Sequence, residues 1–134
     1  MKVLLDTNVV SVMLRTKEPP QLIQHLAELA REDVFISTVT AREILYGLRR
    51  RGGLELFEDR FERILDKYEI LPFDLAAARI CADLTVMLEA RGKPLDLADL
   101  EIAAIALANN LTLITGNDKH FRRIPGLKVR NWLA

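Results

Sequence analysis

The chain has 134 residues, half of them apolar and 28% charged, which suffices for one sizeable core, falls short of two ordinary domains and excludes a disordered composition. Lys and Arg number 19, and so do Asp and Glu, so bulk charge exerts no pull toward nucleic acid or anionic lipid; any polyanion must be met by a local patch or a metal. The lone cysteine, Cys81, excludes an internal disulfide framework and suits a reducing compartment.

Along the chain, short apolar runs alternate with longer amphipathic ones, the pattern of βαβ units. Residues 2–5 predict a first strand and 7–15 a short helix. Pro19-Pro20 open a second helix reaching residue 31, with Leu22, Ile23, Leu26, Leu29 and Ala30 on one face. Residues 34–37 predict the second strand. A third helix starts at Thr38 or Thr40, runs to Arg51 and stops at Gly52-Gly53; a fourth covers 54–67, with Leu54, Phe57, Phe61, Ile64 and Leu65 at helical spacing. Residues 69–73 predict a third strand, after which Asp74 caps a long helix that Gly92 ends. A loop over 94–98 precedes a helix over 99–109 so apolar that burial against the sheet is expected. The fourth strand covers 111–115, a loop with room for one helical turn 116–126, and a short last strand 127–129. The expected class is α/β in one domain spanning residues 1–134, with a central, mostly parallel sheet of four to five strands covered on both faces. No apolar run reaches the ~20 residues of a membrane span, and the apolar part of the opening MKVLLDTN breaks at Asp6, too short for a signal core. A cytoplasmic protein without membrane contact is expected.

Open α/β sheets bind ligands beyond the carboxyl ends of their strands, where strand order reverses. That rule reduces the acids to a short list: Asp6 after the first strand, Asn117 and Asp118 after the fourth, Asp96 and Asp99 at the opening of the apolar helix, and Glu43 one turn into the helix after the second strand. Carboxylates converging on one point repel each other until a raised pKa or a cation relieves them. All-oxygen ligands favour Mg²⁺ or Mn²⁺, and no Cys or His spacing offers zinc. A hard cation keeps waters, acidifies one for attack and neutralises a phosphodiester, which is nuclease chemistry. Each acid also has a plainer reading. In that reading Asp6 is only an N-cap, Glu43 a solvated acid or a capping-box partner of Thr40, Asp96 the cap that leaves Asp99 in the first turn, Asp74 a cap and Asp118 a turn residue.

These blocks together resemble a PIN-domain ribonuclease of the VapC toxin type over nearly the whole length. Leu-Leu-Asp-Thr-Asn (4–8) is similar to the family's opening acid motif, and Ile-Ser-Thr-Val-Thr-Ala-Arg-Glu-Ile-Leu-Tyr-Gly (36–47) to its second block. Pro-Leu-Asp-Leu-Ala-Asp-Leu-Glu-Ile-Ala-Ala (94–104) is similar to the third; Leu-Ile-Thr-Gly-Asn-Asp-Lys-His-Phe (113–121), Ile-Pro-Gly-Leu (124–127) and Asn-Trp-Leu (131–133) are similar to the closing one. The resemblance implies a PIN-like three-layer α/β/α sandwich and a Mg²⁺-dependent endoribonuclease, Mn²⁺ being an alternative. It implies metal acids at Asp6 and Asp99, with Glu43 bound directly or through water and Asn117 at the fourth catalytic position; Asp96 and Asp118 are weaker candidates. It also implies a homodimer and a cognate VapB-type antitoxin whose tail covers the acidic site.

Thr7, Asn8 and Thr115 share the expected edge, and Lys119, Arg122 and Arg123, with His120, flank it; all but His120 are candidate RNA-binding residues. Arg42 and Arg49–Arg51 form a second basic cluster, for which a solvated helix end is as good an account. His25, Cys81 and Met87 are expected to pack on helix faces, and Trp132 to lid the core. Two other readings compete: a receiver-like phosphoacceptor domain, with Asp74, Thr115 and Lys128 as its acceptor, Thr and Lys, and a catalytically inactive PIN fold that only binds.

Overall fold

The computed structural model describes residues 1–15, 17–52 and 55–134. Five short strands, β1 (Val3–Leu5), β2 (Val34–Ser37), β3 (Glu69–Leu71), β4 (Thr112–Ile114) and β5 (Val129–Arg130), form an all-parallel sheet in the order β3-β2-β1-β4-β5. Strand order therefore reverses at β1, and the crevice that this topology opens lies beyond the carboxyl ends of β1 and β4.

Because strand side chains alternate between faces, β1 feeds two cores. Leu4 joins Phe35 and Leu113 on one face, beneath α5 (Leu75–Ala90) and α6 (Leu97–Ala108). Val3 and Leu5 join Val34, Ile36 and Ile114 on the other, beneath α1 (Thr7–Met13), α2 (Pro20–Ala27), α3 (Thr38–Arg51) and α4 (Glu55–Lys67). The result is the expected three-layer α/β/α arrangement. Ile102 to Ala106 of α6 are all buried; three of those five are alanines, so the helix sits close to the sheet, and truncating Ile102 or Ile105 to Ala would open a cavity costing about 2–5 kcal/mol.

Several element ends differ from the sequence reading. The second helix stops at Ala27: Ala30 is extended, and a 3-10 turn over Arg31–Asp33 feeds β2. The third helix starts at Thr38, with Ser37 as its N-cap accepting from the Thr40 amide at 3.0 Å; Thr40 is thus not a cap, and Glu43 is not its capping-box partner. The apolar helix begins at Leu97 with Asp96 in the N-cap position, which leaves Asp99 in the first turn. The last strand moves to Val129–Arg130, since the Leu127 amide turns back to the Ile124 carbonyl while β4 bonds to the Lys128 and Arg130 carbonyls. A helical turn, α7 (Asp118–Phe121), occupies the loop after β4. The expected helix stop at Gly53 and start at Leu54 lie outside the described residues.

Asn110 ends α6 at a φ of 54°. The left-handed turn lets the Leu111 amide reach the Ala106 carbonyl at 2.9 Å, a Schellman closure that delivers the chain directly into β4. Trp132 is buried and stacks on exposed His25, ring centroids 4.6 Å apart, so the C-terminal segment is laid against α2. Cys81 is buried in α5.

Candidate active site

β1 and β4 are in register as far as Leu5 and Ile114, and the Asp6 amide continues the ladder to the Ile114 carbonyl at 2.9 Å. That pairing puts the next residues of the two strands, Asp6 and Thr115, side by side in the crevice. Asp6 is buried, and both its oxygens are engaged: Oδ1 accepts from the Thr7 amide at 2.8 Å, so Asp6 does cap α1, and Oδ2 accepts from the Thr115 hydroxyl at 2.7 Å. Burial pushes the Asp6 carboxyl up from its ordinary value, those two hydrogen bonds pull it back, and the Glu43 charge adds to the rise.

Glu43 comes from the first turns of α3. Thr7 donates its hydroxyl to Glu43 Oε1 at 2.5 Å and lies 3.0 Å from the Thr40 hydroxyl, which is itself 3.3 Å from that of Ser37. A hydroxyl chain thus joins the ends of β1 and β2 and holds the glutamate at the same edge as Asp6. Asp99 enters from α6. It is half-buried and pushed up to about 6, first by burial and then by the charges of Asp6, Asp96 and Glu43, with His120 drawing it down. The crevice therefore gathers acids that feel each other, the condition a cation relieves.

On the β4 side, the Thr115 hydroxyl accepts from the Asn117 amide at 3.0 Å, which ties the backbone of exposed Asn117 to the Asp6 pair. Asn8 accepts from the Gly116 amide at 3.2 Å. Both oxygens of Asp118 have partners: Asn131 donates to its Oδ1 at 3.2 Å and Arg122 to its Oδ2 at 3.4 Å. These partners, Asn131 first, hold its carboxyl below the ordinary range, so Asp118 is engaged by the C-terminal segment. Lys119 and Arg123 are exposed on and just after α7.

The donors are all oxygen, as a hard cation requires, and they sit in a charge-strained crevice. Among the described residues, however, no three His, Cys, Asp or Glu side chains stand close enough to cage a metal ion.

Sequence reasoning missed Ser37 and Thr40, whose hydroxyls stand behind Glu43, and Asn131, whose amide bonds Asp118 and accepts from the Leu133 amide at 2.9 Å. A polar Ser-x-x-Thr at the end of an apolar strand was the available signal for the first two. The receiver reading fails on topology: its fold places the third strand beside the first, whereas here β3 is an edge strand next to β2, and Asp74 caps α5 by accepting from the Ala77 amide at 3.0 Å. No helix among the described residues is long and apolar enough to cross a membrane.

A PIN-domain family model matches residues 3–127. Ribonuclease VapC2 of Rickettsia felis is 33% identical over 130 residues, covering 96% of each chain, and the tRNA(fMet)-specific endonuclease VapC of Shigella flexneri is 28% identical over 132 residues, covering 98% of each. Among solved structures, VapBC2 from Rickettsia felis bound to a DNA fragment from their promoter matches at a TM-score of 0.90 and 32% identity, over 98% of this chain and 99% of that one. With its sequence matched over that span and its sheet order and acid-lined crevice in place, the chain belongs to the PIN-domain family.

Proposed function

We propose that the protein, acting as one domain over residues 1–134, is a Mg²⁺-dependent endoribonuclease (Mn²⁺ serving as an alternative), the toxin of a VapBC-type toxin–antitoxin pair in the cytoplasm. Asp6, Glu43, Asp99 and Asn117 are the catalytic residues. The observation that carries the reading is the convergence of three acids distant in sequence on one crevice: the charges of Asp6 and Glu43 both raise the half-buried Asp99, and that of Glu43 raises the buried Asp6. The kinship with VapC ribonucleases supports it.

In this reading Asp6 and Asp99 hold the cation, with Glu43 reaching it directly or through water. When bound, the ion supplies charge neutralisation for the phosphodiester and a water of lowered pKa. The chain's own residues do the positioning. Thr115 and the Thr7 amide fix the Asp6 carboxylate, the Thr7 hydroxyl fixes Glu43, and the Asn117 backbone is fixed through Thr115. Asn8 braces the Gly116 turn, and Lys119, Arg122 and Arg123 meet the flanking phosphates. A VapB-type antitoxin would cover the acidic edge, and a second copy of the chain would cover the exposed Leu75 and Val86 of α5 and Leu97 of α6.

The test is incubation with transfer RNA and Mg²⁺, with and without EDTA. Cleavage that needs the metal and disappears in Asp6→Asn and Asp99→Asn variants of unchanged fold is the expected result; cleavage that survives either substitution overturns it. The absence of a three-acid cage among the described residues favours one second reading, a PIN fold that binds RNA without cutting it. Metal-independent RNA binding with no cleavage would select that reading.

A further inference from the structure

A cleft of about 280 Å³ leaves the acidic edge between α1 and α3. Its two walls repeat one pattern at helical spacing. On α3, Glu43, Gly47 and Arg51 follow each other four residues apart; opposite them stand Thr7 and Ser11 of α1 and Arg15, just beyond that helix's end. Residues four apart lie on one helix face, so each wall runs from the catalytic edge, over a small residue, to an arginine. Eight residues of helix make the run about 12 Å long. The floor is apolar: Leu14, Ile44, Leu48 and Phe57. Arg60 of α4 ties two of these residues together, donating to the Leu14 carbonyl at 2.8 Å and lying over the Phe57 ring at 5.7 Å.

We propose that this cleft is the path of single-stranded RNA leaving the catalytic edge, with a base on the apolar floor and the next backbone phosphates paired with Arg15 and Arg51. The volume lies just under the range of small-molecule pockets, too little for a duplex. An extended strand offers what the lining asks for in order: a phosphate at the acids, a flat apolar face in the middle, anionic oxygens at the far end. A cationic peptide tail would have to pass two arginines to enter. Gly47 fits the same purpose, because a side chain there would project into the cleft; a Cβ on it meets nothing within 4 Å. The inference rests on the ribonuclease reading above.

Two variants test it, with a short 2′-O-methyl RNA as an uncleavable probe in fluorescence anisotropy and transfer RNA as substrate. Gly47→Met fills the cleft while favouring the helix, so thermal stability should hold or rise while KM rises several-fold, more than kcat falls. Arg15→Gln with Arg51→Gln should weaken probe binding about tenfold and flatten its salt dependence by about 1.4 in log–log slope, two single-strand phosphate contacts' worth. Probe binding and salt slope that match wild type in both variants overturn the proposal, as does a Gly47→Met chain that loses antitoxin binding but keeps its RNA affinity and KM. If the wild type binds the probe through Arg15 and Arg51 but cuts no RNA with metal, the ribonuclease reading fails and the cleft assignment survives. If it cuts RNA and neither variant matters, the reverse holds.

Discussion

Thr115 donates its hydroxyl to the buried Asp6 carboxylate at 2.7 Å although 109 positions separate them in sequence. The bond exists because β1 and β4 are parallel neighbours that end together, so the residue after each strand occupies the same rim. It offsets part of the cost of burying a carboxylate.

Replacing Thr115 with Val keeps the shape and removes that donor, and with it the acceptor for the Asn117 amide. A buried carboxylate oxygen left without its partner costs about 1–3 kcal/mol. Urea unfolding at neutral pH should show that loss, and RNA cleavage should fall further than the fraction of unfolded chain accounts for. Unchanged stability would mean that water replaces the hydroxyl.

Asp99 sets a pH dependence in metal-free protein. Its folded-state pKa is raised to about 6 from an ordinary 3.8, so the folded chain holds the proton more tightly than the unfolded one. The associated stability is fully present below about pH 4 and is lost as pH rises through about 6. Asp99→Asn should therefore be more stable than the wild type above pH 6, by about 1 kcal/mol once screening at a half-exposed carboxyl is allowed for, with the two curves converging near pH 4. Thermal melts across that window in EDTA provide the check.

Divalent cation should reverse the penalty. At about a hundred times its dissociation constant, Mg²⁺ bound only to the folded chain adds about 2.7 kcal/mol, on the order of 10 °C in melting temperature for a chain of this size. Asp6→Asn and Asp99→Asn should each remove most of the increment. An increment that persists in both variants would place the ion elsewhere.

Arg122 and Arg123 test the basic flank. Arg122 is 61% exposed even while paired with Asp118, a pair of little worth to stability. Changing both arginines to Gln should leave the melting temperature within a degree or two yet lower RNA affinity and reduce the salt slope by about 1.4. Equal slopes would make this loop a solvated surface.

From sequence alone, apolar periodicity located the five strands and the longer helices, α1 to α6, to within a few positions, because burial on two sheet faces and on one side of each helix leaves a local trace; the 3-10 turn over Arg31–Asp33 left none. The acids were legible for a different reason: a strand's end is marked by its first polar residue, and in a parallel sheet strand ends are where ligands bind. Asp6 and the Asn117 turn stood out on that ground, and Asp99 because a charge opens a helix that is otherwise apolar. Partners separated by most of the chain left no such trace. That Thr7 rather than Thr40 holds Glu43, that Asn131 bonds Asp118, and that Thr115 and Asp6 share a hydrogen bond were decided by strand order and register, which set distances across the rim that no local pattern encodes.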